Sequence, residues 1–244
     1  MHHLIIQSTQ DIATHDLKQL AKISQASQIQ AIHTQAFKLC DADIGTQAAV
    51  QAYAEQVQVD AVFTPQGLRL QDIGLVVMDM DSTLITIECI DEIADMQGLK
   101  PQVSAITEAA MRGELDFQQS LRQRVALLKG LDESALERVY QERLQLTQGA
   151  EAMLKAIHQT GAQSLLVSGG FTFFTERLQQ RLGLTDTRAN VLEVINGKLT
   201  GEVLGDIVDA QMKADLLIAK RQALGLKPEQ VIALGDGAND LKML

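Results

Sequence analysis

Residues 73–78 read Ile-Gly-Leu-Val-Val-Met, and the run ends on Asp79-Met80-Asp81-Ser82-Thr83. An apolar stretch without polar alternation is the pattern of a strand buried on both faces, which belongs in a parallel sheet covered by helices on either side. The two aspartates then stand at the carboxyl end of that strand, where open α/β sheets carry their binding crevices. Carboxylates one residue apart repel each other, and each loses hydration energy on leaving water, so a cation or a tuned proton has to offset the cost. The expected fold is therefore α/β, with a doubly wound, Rossmann-like parallel sheet and its chemistry at Asp79 and Asp81.

The rest of the chain supports that reading. Residues 1–70 predict a small α/β module, with strands at 4–6, 29–37 and 59–63 and helices at 16–26 and 46–56; Pro65-Gln66-Gly67 closes it. No chemical motif lies there. Helical periodicity then dominates 88–148, in segments 90–97, 101–112, 116–129 and 132–144 broken at Gly98, Gly113 and Gly130, as in a helical bundle inserted after the first strand. The α/β alternation returns with a helix at 150–160, a strand at 164–167, a helix at 171–182, a hairpin over 190–203 turning at Asn196-Gly197, a helix at 210–224 and a strand at 231–234.

Three more clusters fall at the ends of these elements. In Leu165-Leu166-Val167-Ser168-Gly169-Gly170 a strand runs into a hydroxyl and two glycines just before a helix, a geometry that suits an anion through close backbone N–H groups, although a tight turn capped by Ser168 reads the same way. Lys213 lies in the first turn of the helix that follows Asp209, against the macrodipole preference, so a nearby anion accounts for it better than helix stability does. Finally, the strand at 231–234 ends in Gly235-Asp236-Gly237-Ala238-Asn239-Asp240. A helix starting near Gly237 would turn Asp236 and Asp240 toward one opening. Oxygen ligands with no histidine or cysteine among them suit Mg²⁺ rather than zinc.

Composition removes several other classes. The chain carries 31 acidic and 21 basic residues, net −10, which argues against nucleic acid and anionic membrane as partners and requires local cations for any anionic substrate. No apolar run approaches the roughly 20 residues of a membrane span, and the N-terminus has no basic stretch leading into an apolar one. Cys40 and Cys89 are too few and too far apart for a disulfide framework, which fits a cytoplasmic protein.

Taken in order, Asp79-Met80-Asp81-Ser82-Thr83, the Ser168 turn, Lys213 and Gly235-Asp236-Gly237-Ala238-Asn239-Asp240 resemble the four motifs of the haloacid dehalogenase superfamily of phosphotransferases. Glu88-Cys89-Ile90-Asp91-Glu92, Met111-Arg112-Gly113-Glu114 through Phe117, and Ser120-Leu121-Arg122-Gln123-Arg124 extend the resemblance to members that hydrolyse O-phosphoserine, over about residues 73–244. The resemblance implies Asp79 as nucleophile, forming an aspartyl-phosphate, and Asp81 as general acid and base. It implies Mg²⁺ held by Asp79, the Asp81 main-chain carbonyl and Asp236, with the phosphoryl oxygens on Ser168, Gly169 and Lys213, Asn239 near the phosphate, and Asp240 orienting the metal shell or Lys213. Glu88 would take the substrate ammonium and Arg124 its carboxylate, under a lid of Met111 and Phe117. A sister phosphatase for another small phosphomonoester would keep the aspartates and Lys213 but lose the Glu88 and Arg124 pairing. A serine-binding or regulatory module without turnover is the other alternative.

Two departures qualify the match. The sequence stops at Leu244, a few residues beyond the last motif, where the family normally adds another strand and helix, so one sheet edge is expected to be uncovered. Residues 1–70 resemble only loosely the small amino-acid-binding regulatory domains of some members, and dimerisation through them is an equal expectation.

Overall fold

A computed structural model describes residues 1–244, and the chain divides into two units, Met1–Arg69 and Leu70–Leu244. The first contains β1 (His2–Gln7), α1 (Thr14–Ile23), β2 (Gln28–His33), β3 (Ala36–Ala42), α2 (Gln47–Val57) and β4 (Asp60–Pro65). Its sheet is antiparallel in the order β2-β3-β1-β4. Leu4, Ile6 and Leu39 alternate onto one face of that sheet and form a small core with Leu17 and Leu20 of α1 and Val50 of α2. The single strand expected over 29–37 is instead a hairpin, with β2 and β3 on either side of Thr34-Gln35. No glycine, proline or Asn-Gly pair marks that turn, so a residue pattern that relies on such punctuation reads straight through it.

The second unit is built on β5 (Leu75–Met78), followed by the helices α3 (Cys89–Asp95), α4 (Lys100–Met111), α5 (Phe117–Ala126) and α6 (Ser134–Glu142). These are the inserted bundle. It leaves and re-enters at one place, where Thr86 N–H donates to the Gln145 carbonyl at 2.9 Å and Thr147 N–H to the Leu84 carbonyl at 3.0 Å. Gly113, at φ +78°, ends α4 in a backbone conformation that side-chain-bearing residues adopt at a cost. The chain continues through α7 (Ala150–Gln159), β6 (Gln163–Phe171), α8 (Thr172–Leu182), β7 (Asp186–Ile195), β8 (Lys198–Leu204), α9 (Ala210–Ala223) and β9 (Val231–Leu234).

The five strands lie in the order β8-β7-β6-β5-β9. β5 pairs in parallel with both β6 and β9, and β6 with the first half of β7. The hairpin expected at 190–203 forms there, pairing from Val191 and Leu204 and turning at Asn196-Gly197, while its first strand starts earlier, at Asp186, where it is a parallel neighbour of β6. All four residues of β5 are buried, as an apolar run without alternation requires. Val76 and Met78 pack with Leu166, Leu154, Phe174 and Leu178 on one face; Leu75 and Val77 pack with Leu165, Val167, Met212 and Leu216 on the other. Helices thus cover both faces. The helix expected after Gly237 is replaced by a series of hydrogen-bonded turns over 237–243.

Leu166 has no solvent exposure and joins β6 to the larger core. Leu166→Ala is expected to destabilise this unit by about 2–5 kcal/mol, seen as a lower urea midpoint in circular dichroism with an unchanged m-value.

Candidate active site

The carboxyl ends of β5, β6 and β9 are adjacent, so the residues following them converge. Asp79 follows β5 directly; its N–H donates to the Leu234 carbonyl at 3.0 Å, tying the ends of β5 and β9 together. Its carboxylate oxygen Oδ1 accepts from the Met80 N–H at 2.7 Å and lies 2.8 Å from Lys213 Nζ. The backbone then loops through a wide turn, with Ser82 in the left-handed region at φ +55°, and this brings Asp81 back over the strand end. Asp81 Oδ1 accepts from the Cys89 N–H at 3.0 Å, and Ser82 Oγ donates to Glu88 Oε1 at 2.8 Å. Nearby, Thr83 Oγ1 donates to Asp236 Oδ1 at 2.6 Å, across from β5 to the end of β9.

A cleft of about 510 Å³ opens over these strand ends. Asp79, Asp81, Glu88 and Asp236 contribute acidic groups to its lining, Met111, Phe117 and Arg124 of the inserted bundle line it too, and so do Gly169 and Asn239. Ser168, Lys213 and Asp240 lie behind, all without solvent exposure. Every residue singled out from the sequence is thus brought to one place. Asp240 is the exception to its expected direction: it does not face the opening. Its Oδ1 takes Lys213 Nζ at 2.7 Å, and its Oδ2 accepts from the Asp236 and Gly237 N–H groups at 3.2 and 3.1 Å. Gly235 leaves room for this, since a Cβ there would lie 2.5 Å from Asp240 Cγ.

The electrostatics follow from burial. Loss of water pushes the Asp79 carboxyl up to about 6 even though Lys213 pulls it down. Asp81 is pushed up to about 7, by loss of water first and the negative charge of Glu88 second, against the Cys89 hydrogen bond. Glu88 is also raised, chiefly by desolvation, while the Ser82 hydrogen bond lowers it. Arg124 is lowered by its burial, and its Nε is buried without a hydrogen-bond partner. A buried guanidinium N–H left unpaired costs free energy.

Oxygens of Asp79, Asp236 and Asp240 come within 4.8 Å of one another, an acidic cluster able to hold a metal ion. Asp240 already spends its oxygens on Lys213 and two amides, which leaves Asp79 and Asp236 as the ligating side chains. Their all-oxygen character fits a hard cation.

Sequence reading missed several contributions: Ser82 and Thr83, which hold Glu88 and Asp236; the close packing around Gly170, which was read only as part of the anion-binding turn; and Asn190, buried between two loops. Ser82 and Thr83 lay inside the recognised motif, but their partners are remote in the chain. Gly170 is packed so closely that a Cβ would sit 2.6 Å from Asp81 Oδ2 and 3.0 Å from Ser168 Oγ.

Residues 73–244 match the haloacid dehalogenase-like hydrolase family, and residues 4–50 a domain of unknown function. Over 188 residues the chain is 53% identical to a phosphoserine phosphatase of Polaromonas sp., covering 75% of this chain and 79% of that protein. A crystal structure of a HAD family hydrolase from Salmonella enterica serovar Typhi superposes with a TM-score of 0.89 at 32% identity, covering 100% of this chain and 86% of that one. An unliganded probable phosphoserine phosphatase from Vibrio cholerae gives 0.82 at 35% identity, over 99% and 75% of the two chains. The chain belongs to the haloacid dehalogenase-like hydrolases and, within them, to the family of the phosphoserine phosphatases. It is a phosphatase, metal-dependent as that class is.

Gly170→Ala is expected to lower phosphatase turnover on p-nitrophenyl phosphate by about 100-fold, because Asp81 or Ser168 has to move, with the far-ultraviolet circular dichroism unchanged.

Proposed function

We propose that this enzyme hydrolyses O-phospho-L-serine to L-serine and phosphate, the last step of serine biosynthesis, in the cytoplasm and with Mg²⁺ as its metal. The observation that carries the substrate assignment is Arg124, which lines the same cleft as Glu88 and Asp79 and whose buried Nε has no hydrogen-bond partner. An amino-acid phosphate supplies what this cleft lacks: a carboxylate for Arg124, an ammonium for Glu88 and a phosphoryl group over Asp79.

Asp79 acts as the nucleophile. Its Oδ1 is held by the Met80 N–H and Lys213, so Oδ2 remains to attack phosphorus in line, giving an aspartyl-phosphate and expelling the serine oxygen. Asp81 gives that oxygen a proton, then takes one from the water that hydrolyses the intermediate; a carboxyl raised to about 7 is suited to both roles. Ser168, the Gly169 N–H and Lys213 receive the phosphoryl oxygens, with Asn239 beside them. Gly170 N–H donates to Ser168 Oγ at 2.8 Å, which leaves the serine hydroxyl proton for the phosphate. Asp79, the Asp81 carbonyl and Asp236 would hold the Mg²⁺, which supplies positive charge to an anionic nucleophile meeting an anionic substrate. Asp240 positions Lys213 from behind. Met111, 84% exposed, and Phe117 line the apolar side of the cleft, and a closing movement of the inserted bundle would bring them over the intermediate and exclude stray water.

Phosphate release from O-phospho-L-serine, measured with and without Mg²⁺ beside a panel of other phosphomonoesters, tests this reading. The expected result is Mg²⁺-dependent release selective for phosphoserine and abolished by Asp79→Asn. Release from the panel but not from phosphoserine would overturn the substrate, and no release from folded protein would overturn the reaction.

The pH profile follows from the two aspartates. Asp79 has to be ionised to attack and Asp81 protonated to donate, so kcat/KM is expected to fall below the Asp79 value of about 6 and above the Asp81 value of about 7, the bound cation moving the acid limb lower. Asp81→Asn should lower the rate and flatten the alkaline limb while leaving the acid limb in place.

A further inference from the structure

Asn190 is a polar side chain with 1% exposure that takes no part in the chemistry above. It lies at an irregularity in the sheet. β6 and β7 pair in register up to Val167 and Arg188 and resume at Phe171 and Asn190, so Ser168-Gly169-Gly170 bulge out opposite Ala189 alone. The loop receiving the phosphoryl group is therefore a stretch without register partners in β7, and side chains help to fix it. Asn190 Nδ2 donates to the Gly169 carbonyl at 2.7 Å, and its Oδ1 accepts from the Val208 N–H at 2.9 Å.

Both ends of that bridge lead into the site. The Gly169 carbonyl and the Gly170 N–H belong to one peptide plane; the N–H end is held by Ser168 Oγ at 2.8 Å, the carbonyl end by Asn190. Fixing this plane fixes how Ser168 presents its hydroxyl. Val208 immediately precedes Asp209, whose side chain caps α9 through the Gln211 and Met212 N–H groups at 3.0 Å each. From there Lys213 projects to Asp79. Only a carboxamide offers a donor and an acceptor in this fork; a carboxylate would turn a negative oxygen toward the Gly169 carbonyl.

We propose that Asn190 is a positioning residue that sets the spacing between the Ser168-Gly169 loop and the start of the Lys213 helix, and so the geometry of the seat for the phosphoryl oxygens. The assignment rests on that seat being where phosphate binds. It acts on phosphate recognition and turnover, and leaves the Glu88 and Arg124 end of the cleft untouched.

The test uses the full chain with Asn190→Ala, Asn190→Asp, which keeps the shape and removes the donor, and Leu154→Ala, a core substitution away from both loops that controls for lost stability. Turnover is measured on p-nitrophenyl phosphate, and inhibition by orthophosphate and by L-serine is measured separately. Both Asn190 variants are expected to lose about 100-fold in kcat and about tenfold in orthophosphate affinity, with L-serine inhibition unchanged; Leu154→Ala should lower the melting temperature without changing either inhibition constant. Unchanged kcat and orthophosphate affinity in a folded Asn190 variant would overturn the proposal, as would equal losses for orthophosphate and serine or the same losses in Leu154→Ala. Two Asn190 variants that fail to fold would make Asn190 a residue of the fold and overturn it too. Wild-type enzyme that orthophosphate inhibits and L-serine does not would remove the substrate assignment, while the orthophosphate arm still decides on Asn190.

Discussion

Lys213 lies with no solvent exposure between two carboxylates, 2.8 Å from Asp79 Oδ1 and 2.7 Å from Asp240 Oδ1. Three elements supply these groups: the end of β5, the start of α9 and the turn after β9. An ammonium withdrawn from water loses a large hydration energy, and only close anionic partners return it; removing one partner of such a group commonly costs about 3–5 kcal/mol. The cluster can exist only if β5, β9 and α9 are all in place, and Asp79 in the acidic lining in front of it depends on the same cation. Asp79 remains substantially ionised near neutral pH, despite burial that pushes it up to about 6, because Lys213 opposes that rise.

The sheet order converts distance in sequence into contact. β5 lies between β6 and β9, and each of the three ends in residues that reach the cleft. Around it the backbone is distorted in local ways: the left-handed Ser82, the bulge at Ser168-Gly170 and the close packing at Gly170 and Gly235. Regular strands cannot aim N–H groups at a ligand, since their own ladders consume them. The irregular segments expose such groups where the strands end. Hydrogen bonds donated by Thr83 and Asn190 and one accepted by the Asp240 carboxylate hold these segments.

Much of the fold was legible because it rests on local patterns. The unbroken apolar run at β5 required burial on both faces, the glycines at 98, 113 and 130 divided the inserted helices, and Asn196-Gly197 announced the hairpin. The readings that failed did so where no local signal existed. The Thr34-Gln35 turn has no turn-forming residue, and β7 changes from parallel to antiparallel pairing within one strand, a property of its neighbours rather than of its residues. The run after Gly237 looks helical, but the Asp240 carboxylate draws the Asp236 and Gly237 amides into a turn.

The sequence by itself determined which polar side chains stand where the buried strands end: acids at the strand ends, a hydroxyl before two glycines and a lysine at a helix start are costly there unless they serve a ligand. The tertiary structure alone decided how those groups are shared out. Asp240 turned inward to hold Lys213 while Asp236 stayed open, Ser82 and Thr83 became supports, Arg124 was left with a buried unpaired N–H, and Asn190 joined two loops. Residue type and spacing are properties of the local chain. A hydrogen-bond partner far away in sequence is fixed only when the whole sheet closes around it.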